Sequence, residues 1–360
     1  MLQAYALQKF LSSYGYETEI VDFSSKGQRE IYSVFSKNSS LKKVIRNVVL
    51  LMVEKRIIEN NKLYEIFKRQ SLSTTSYATD DSNEIIDDYY AVIAGADQIW
   101  NVTIADFDDA YFLNWVTHAK KIAYAPSFGA RDISIYAEDK EKYRQLLNSF
   151  DYLSIREYNG QKWISDFVNR TAPVVLDPTL LLCRKDYEDI MDDDIVLPKE
   201  YIFYYSPSYS FKTNSFVKKI SLKYHLPVIA FNTKSYCLRA MNLFGFKLPS
   251  KESPNTYLKL MKNAKLVITT SFHGTIFSTI FRKKFWVIKN GCMFDSDDRV
   301  ATLVDQLAVS DRVITAQFDG NFDYLQDVSY DQYIENLEIL KKKSTTFLLS
   351  ALGDQNETTK

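Results

Sequence analysis

Glycine, proline and cysteine are all scarce in this chain. Ten glycines and eight prolines in 360 residues, with no low-complexity tract, exclude fibrous and largely disordered classes. Cys183, Cys237 and Cys292 are odd in number and far apart. No CxxC or CxxxC pair exists, so neither a zinc knuckle nor a disulfide framework is expected. Three buried thiols in a reducing cytoplasm are the plain expectation. Charge of one sign is missing too: 45 Lys and Arg face 45 Asp and Glu. That balance argues against a duplex-binding protein, and no nucleic-acid partner is expected. Long apolar runs are absent. The most apolar stretch, Val44–Val53, contains Arg46 and is too short to span a bilayer. Met1 leads into LQAYALQKFL with no basic leader region or cleavage site, so no signal peptide is read. The expected location is cytoplasmic, at most on the inner face of the membrane. No Walker loop, HExxH, GxSxG or GxGxxG occurs, which weakens ATPase, metalloprotease, hydrolase and dinucleotide-dependent readings. No metal site and no bound cofactor are expected.

What is present suits large cores. Hydrophobic residues make up 46% and aromatics 14%, and the length fits about two domains. Leu2–Tyr14 reads as a helix stopped at Gly15, and Thr18–Phe23 as a strand. A doubly wound unit begins with a strand and a turn before its helix. This chain opens inside the helix, so that strand is either absent or lies upstream of Met1. Leu41–Arg69 reads as helical and basic, with a packed hairpin as one reading and contact with anionic lipid as the other. Short apolar strands at Tyr89–Ala94, Lys121–Pro126, Asp151–Ile155 and Val174–Leu176 each end in a polar or glycine-bearing turn. Helical stretches such as Ile135–Asn148 separate them, the pattern of a parallel sheet with functional loops at its strand C-termini. The acidic Tyr187–Asp194 stretch marks a linker. A second alternation then begins at Tyr201–Tyr205 and ends in a helix over Tyr330–Leu349. The expected division is an N-terminal Rossmann-like domain over 1–182, a linker over 183–199 and a C-terminal Rossmann-like domain over 200–328. A helix over 329–352 and a polar tail over 353–360 follow.

The chemistry-bearing residues cluster at strand ends. In Leu266–Phe281, strand, turn and helix follow in quick succession. Ser271 is the expected N-cap, and the amides of Phe272, His273 and Gly274 at the helix start suit a phosphate or carboxylate. Gly274 would let a ligand approach the backbone. An imidazole suits proton transfer, so His273 can move a proton there; a capped helix with a buried structural His is the bland alternative. In Gly95–Asn101, Asp97 could accept a hydroxyl proton, Gln98 neighbours it, and Trp100 offers a face for a sugar ring. The bland alternative is an Asx-turn with a packing Trp. Arg156 could grip an anion bidentately or pair with a structural carboxylate. Asp177-Pro178-Thr179 forms a rigid turn, and Arg299 could reach the cleft or pair with its acidic neighbours. His118 and His225 read as structural or exposed.

Taken together, LQAYALQKFL, GADQIWN, KIAYAPSFG, SIRE, VLDPTLLL, NAKLVITTSFHGTIFSTIF and DDRVATLVDQL resemble the polysaccharide pyruvyl transferase family, and they run in family order. The resemblance implies an α/β fold of two Rossmann-like domains facing a cleft, similar to GT-B glycosyltransferases. It implies transfer of a pyruvyl ketal from phosphoenolpyruvate to a sugar of a cell-surface polysaccharide or its lipid-linked precursor. On that basis His273 and Asp97 are the expected catalytic pair. Arg156, Ser271, Phe272, Gly274 and Arg299 would bind the donor, and Gln98, Trp100 and Asp177 the acceptor. The expected partners are phosphoenolpyruvate and a glycan or lipid-linked oligosaccharide, with peripheral membrane contact. Some members carry an Arg where this sequence has Ser271, so Arg156, Arg282 or Arg299 would supply the guanidinium. Many also carry an upstream strand and an Asn-Tyr-Gly-like turn. The alternatives are a GT-B-type glycosyltransferase using a nucleotide sugar and a non-catalytic family member.

Overall fold

The computed structural model describes residues 1–36, 40–192, 194–289 and 297–353. Cys292 and the tail over 354–360 lie outside the described residues. Along the first half run α1 (Leu2–Ser13), β1 (Ile20–Phe23), α2 (Lys26–Tyr32), α3 (Leu41–Leu51), α4 (Glu54–Ser71) and β2 (Thr74–Thr79). Then come β3 (Ala91–Asp97), β4 (Lys120–Pro126), α5 (Ile133–Tyr136), α6 (Lys140–Asn148), β5 (Tyr152–Leu153), α7 (Tyr158–Val168) and α8 (Arg184–Glu188). The second half contains β6 (Ile202–Tyr205), α9 (Phe211–Tyr224), β7 (Val228–Ala230), α10 (Thr233–Leu238), α11 (Pro254–Asn263) and β8 (Leu266–Thr269). It ends with α12 (Phe272–Ile280), β9 (Phe285–Ile288), α13 (Arg299–Gln306), β10 (Val313–Ile314) and α14 (Asp331–Leu352).

Every strand pairing among these elements is parallel. The two-domain parallel α/β architecture expected from the sequence is the one the chain adopts. The second half forms a sheet in the order β10-β9-β8-β6-β7. Its strands β6 to β9 are wholly or nearly wholly buried, as strands covered by helices on both faces must be, while the short edge strand β10 is half-buried. Chain direction across the sheet reverses between β6 and β8, and a crevice opens beyond the strand ends at such a switch point. Ser206 after β6 and Thr270 after β8 share a hydrogen bond there at 2.5 Å. The turn before α12 therefore sits at the mouth of that crevice.

The first half forms two ribbons, β1-β2 and β3-β4-β5. Between the edges of β1 and β3 lies a cavity of about 400 Å3, lined by Leu7, Leu11, Ile20, Val21, Ile93 and their neighbours. The expected strand at Val174–Leu176 is reduced to one bridge, Ile155 to Val174. The expected helix Ile135–Asn148 is broken into α5 and α6, because Asp139 caps a fresh start by accepting from the Lys142 amide. The stretch expected to be a linker opens with α8, whose Tyr187 is fully buried and donates to the Thr179 carbonyl at 2.7 Å. Cys183 is exposed and Cys237 half-buried, so these two are not the buried thiols expected.

The two halves are tied together by α14 and by α4. α14 returns to the first half, where Ser344 accepts from the Leu176 amide at 2.9 Å. α4 reaches the second half, where Arg56 donates to Thr233 at 3.0 Å and Asn60 to the buried Glu252 at 3.1 Å. No described helix is long and apolar enough to cross a membrane.

Candidate active site

Four side chains from four separated segments converge where the strand ends of both halves meet. Asp177 is the hub. Its Oδ2 accepts from Arg156 Nη1 at 2.9 Å and from Gln3 Nε2 at 3.0 Å. His273 Nε2 stands 3.4 Å from the same oxygen, an ion-pair distance without hydrogen-bond alignment. Asp177 Oδ1 is consumed by the amide and hydroxyl of Thr179, which closes the Asp-Pro-Thr turn and fixes the carboxylate. Burial pushes this carboxyl up, but His273, Arg156 and Thr179 outweigh that and hold it well below the usual range.

Arg156 is the second element. It is buried, yet its Nε and Nη2 make no hydrogen bond among the described residues. Nη2 lies 3.6 Å from Asp97 Oδ1, and the guanidinium carbon lies 4.2 Å over the Phe272 ring. A flat, delocalised cation tolerates this partial desolvation against an aromatic face, where a lysine would not. Two buried nitrogens whose N–H bonds lack acceptors are costly, and they suit an incoming anion. Asp97 ends β3 with φ +134°, outside the regions ordinary residues favour. Its carbonyl accepts from Ser127 at 2.8 Å and its Oδ1 from the Gln98 amide at 2.9 Å, which together hold the strained turn. Burial raises the Asp97 carboxyl, and Arg156, His273 and the Gln98 amide bring it below its ordinary value.

The α12 turn forms as its sequence implies. Ser271 caps the helix by accepting from the Gly274 amide at 3.2 Å, and Thr269 Oγ1 accepts from the Ser271 amide at 3.0 Å. The amides of Phe272 and His273 find no acceptor among the described residues. Gly274 has a different task from the one expected. A Cβ there would sit 2.1 Å from Thr269 Oγ1, so the missing side chain lets helix and strand approach each other. Its amide is already spent on Ser271.

Three further expectations are corrected by burial or pairing. Trp100 has no face open to a sugar. It is fully buried, stacked on Phe112 at 5.0 Å, and its Nε1 donates to the Tyr111 carbonyl at 3.1 Å. Asp177, expected on the acceptor, has a side chain wholly shielded from solvent and holds Arg156 and His273 instead. Arg299 is clasped by Asp297, its Nε donating at 2.7 Å, so it shapes the field around Asp97 and Glu157 from a distance. Gln98 stays half-buried beside Asp97 and faces Gly129, where its amide oxygen would lie 2.6 Å from an added Cβ.

Gln3, Asp298 and Glu157 were given no role from the sequence. Asp298 spans the halves, accepting from the Asn159 amide at 2.9 Å in the first turn of α7. Glu157 is fully buried, accepts from the Phe128 amide at 2.9 Å through Oε1, and leaves Oε2 unpaired among the described residues. Burial pushes its carboxyl up to about 7, against the pull of Arg156 and Arg299. Adjacency to Arg156 in sequence was the one available signal, and it gave no hint of burial.

The raised Glu157 has a consequence for stability. Below the ordinary glutamate pKa, folded and unfolded chains both carry the proton. As pH rises toward about 7, the unfolded chain ionises first, so the stability from the buried neutral carboxyl is lost across that window. Glu157→Gln keeps the acceptor for Phe128 and removes the ionisation. The variant is expected to match the parent near pH 4.5 and gain on it up to pH 7.5, by roughly 3 kcal/mol. Urea midpoints measured across that range check this, and parallel curves would refute it.

No cluster of three His, Cys, Asp or Glu side chains among the described residues is arranged to hold a metal ion. The arrangement can instead seat an anion on Arg156 and the α12 start, with an imidazole alongside.

A parallel α/β protein of two halves, with Arg156, Asp97, Asp177 and His273 gathered where they meet, is the class these features define. The chain belongs to the polysaccharide pyruvyl transferase family, whose profile matches residues 1–291. No curated protein matches it in sequence. Among solved structures it is similar to UDP-GlcNAc 2-epimerase from Neisseria meningitidis, at 9% identity and TM-score 0.48, covering 98% of this chain and 96% of that one. The Rickettsia bellii UDP-N-acetylglucosamine 2-epimerase aligns at 13% identity and TM-score 0.46, over 100% of this chain and 96% of that one. An E. coli heptosyltransferase aligns at 9% identity and TM-score 0.37, over 94% and 95%.

Proposed function

We propose that this protein transfers a pyruvyl ketal from phosphoenolpyruvate to two hydroxyls of a sugar in a cell-surface polysaccharide or its lipid-linked precursor. One observation carries the reading: buried Arg156 holds two donor nitrogens, Nε and Nη2, without hydrogen-bond acceptors, beside His273 and the open start of α12. Phosphoenolpyruvate brings a phosphate and a carboxylate, and Arg156 with the Phe272 and His273 amides offers donors for one of them. In the reaction the enol methylene gains a proton and becomes a methyl group. Carbon 2 forms bonds to two sugar oxygens, its bond to the phosphate oxygen breaks, and phosphate leaves. The two hydroxyls release two protons, one matching the methylene's gain and the other passing to phosphate or solvent. His273 is the group placed to deliver and collect these protons, with Asp177 orienting the imidazole. Asp97 lies across from it, low in pKa and able to accept from an acceptor hydroxyl.

The test offers the purified protein glycan acceptors with either phosphoenolpyruvate or a nucleotide sugar. Acceptor-dependent phosphate release from phosphoenolpyruvate, with the nucleotide sugar untouched, is expected. Consumption of the nucleotide sugar alone would replace this reading with glycosyl transfer. Consumption of neither would leave a glycan-binding protein without this chemistry.

A further inference from the structure

Helix α3 carries an apolar stripe that faces away from the protein. Leu41, Val44, Ile45, Val48, Leu51 and Met52 recur at helical spacing, and each is between 38% and 79% exposed. Six large apolar side chains on one face of a helix that short would normally be buried. The opposite face supplies the contact with the protein, through buried Leu50 and through Arg46, which donates to Ser36 at 2.8 Å. From Ile31 to Val53 the sequence has no Asp or Glu, while Lys37, Lys42, Lys43 and Arg46 are all basic. Lys42 and Lys43 are exposed at the helix start, and Lys55 is exposed just after it.

We propose that α3 lies in the surface of an anionic lipid bilayer, with its apolar stripe in the acyl boundary and its lysines among the headgroups. This combination of a basic polar border and an apolar face suits an interfacial helix. A second copy of the chain fits less well. Apposing two α3 helices would bring together two segments that each carry Lys42, Lys43 and Arg46 and no Asp or Glu from Ile31 to Val53, so neither supplies carboxylates to pair the other's charge.

The position of the helix gives the contact a use, which rests on the function proposed above. α3 packs on α10, which begins three residues after β7 ends, on the strand-end side where the crevice opens. Lys234 of α10 donates to the Tyr32 and Ser33 carbonyls at 3.1 and 2.7 Å, and Arg56 of α4 donates to Thr233. A membrane holding α3 would thus hold both halves with the crevice near the bilayer, where a lipid-linked acceptor is presented.

The experiment sediments the full chain with vesicles of phosphatidylcholine alone or mixed with phosphatidylglycerol. Binding is expected only with the mixed vesicles, and weaker at high salt. The double variants Ile45→Asp/Val48→Asp and Lys42→Glu/Lys43→Glu are each expected to lower the partition coefficient about tenfold or more. Their melting temperatures should match the parent's, since all four side chains are exposed. Turnover on a soluble acceptor should also be unchanged, which separates failure of this proposal from failure of the transferase reading. No binding to mixed vesicles, equal binding by the variants, or a dimer that Ile45→Asp/Val48→Asp dissociates would each overturn it.

Discussion

Replacing His273 with alanine is expected to lower kcat for ketal formation by about 100- to 10,000-fold, the usual worth of a positioned acid or base. The fold should tolerate the change. Asp177 keeps Arg156 and Gln3 on its Oδ2 and Thr179 on its Oδ1, so no buried charge is stranded. The α12 cap is made by Ser271 and does not use the His273 side chain. Donor binding rests on Arg156 and backbone amides, so KM for phosphoenolpyruvate should move far less than kcat. That split distinguishes a proton carrier from an anchor, because losing an anchor raises KM. The measurement is steady-state phosphate release at saturating acceptor. Turnover within threefold of the parent would remove His273 from the mechanism.

The parts of this molecule legible in the sequence are those where local pattern and tertiary role agree. β6, β8 and β9 are short apolar runs that form buried strands, β6 within the expected Tyr201–Tyr205 and β8 at the start of the strand-turn-helix read over Leu266–Phe281. The Ser271 cap was legible because the capping oxygen and its amide lie three residues apart. β2 was missed: TTSYAT is polar, and it is a strand only because it lies beside β1. Tertiary pairing there overrides a weak local preference. Trp100 misled for a related reason, since a Trp after a strand looks the same in sequence whether it faces a ligand or Phe112. The Asp177 hub joins side chains separated by as many as 174 residues from Gln3, and no spacing rule reaches that far. Its likeness to a plain structural turn was sound locally, because Thr179 does close that turn. Its second oxygen, turned toward Arg156 and His273, is what the pattern could not show.

Arg156→Ala is expected to damage both binding and stability, and the two effects can be separated. The guanidinium holds the side of Asp177 that has no solvent access. Removing it leaves a buried carboxylate with only Gln3, Thr179 and His273, a loss of about 3–5 kcal/mol by analogy with other broken buried pairs. Donor affinity should also fall by at least about tenfold, since charge-assisted hydrogen bonds to an anion are worth about 1.5–3 kcal/mol. Arg156→Lys should recover part of the stability through its charge and little of the affinity. A lysine offers a single point of charge and cannot stack flat on Phe272 while pairing with Asp177. Adding Asp177→Asn to Arg156→Ala removes the stranded charge, so the double variant should be more stable than Arg156→Ala alone while remaining unable to hold the donor. Thermal melts for the three variants, with titration of phosphoenolpyruvate by calorimetry, give both readouts. If Arg156→Ala binds phosphoenolpyruvate as tightly as the parent, Arg156 is only the structural partner of Asp177, and the donor site must be sought elsewhere.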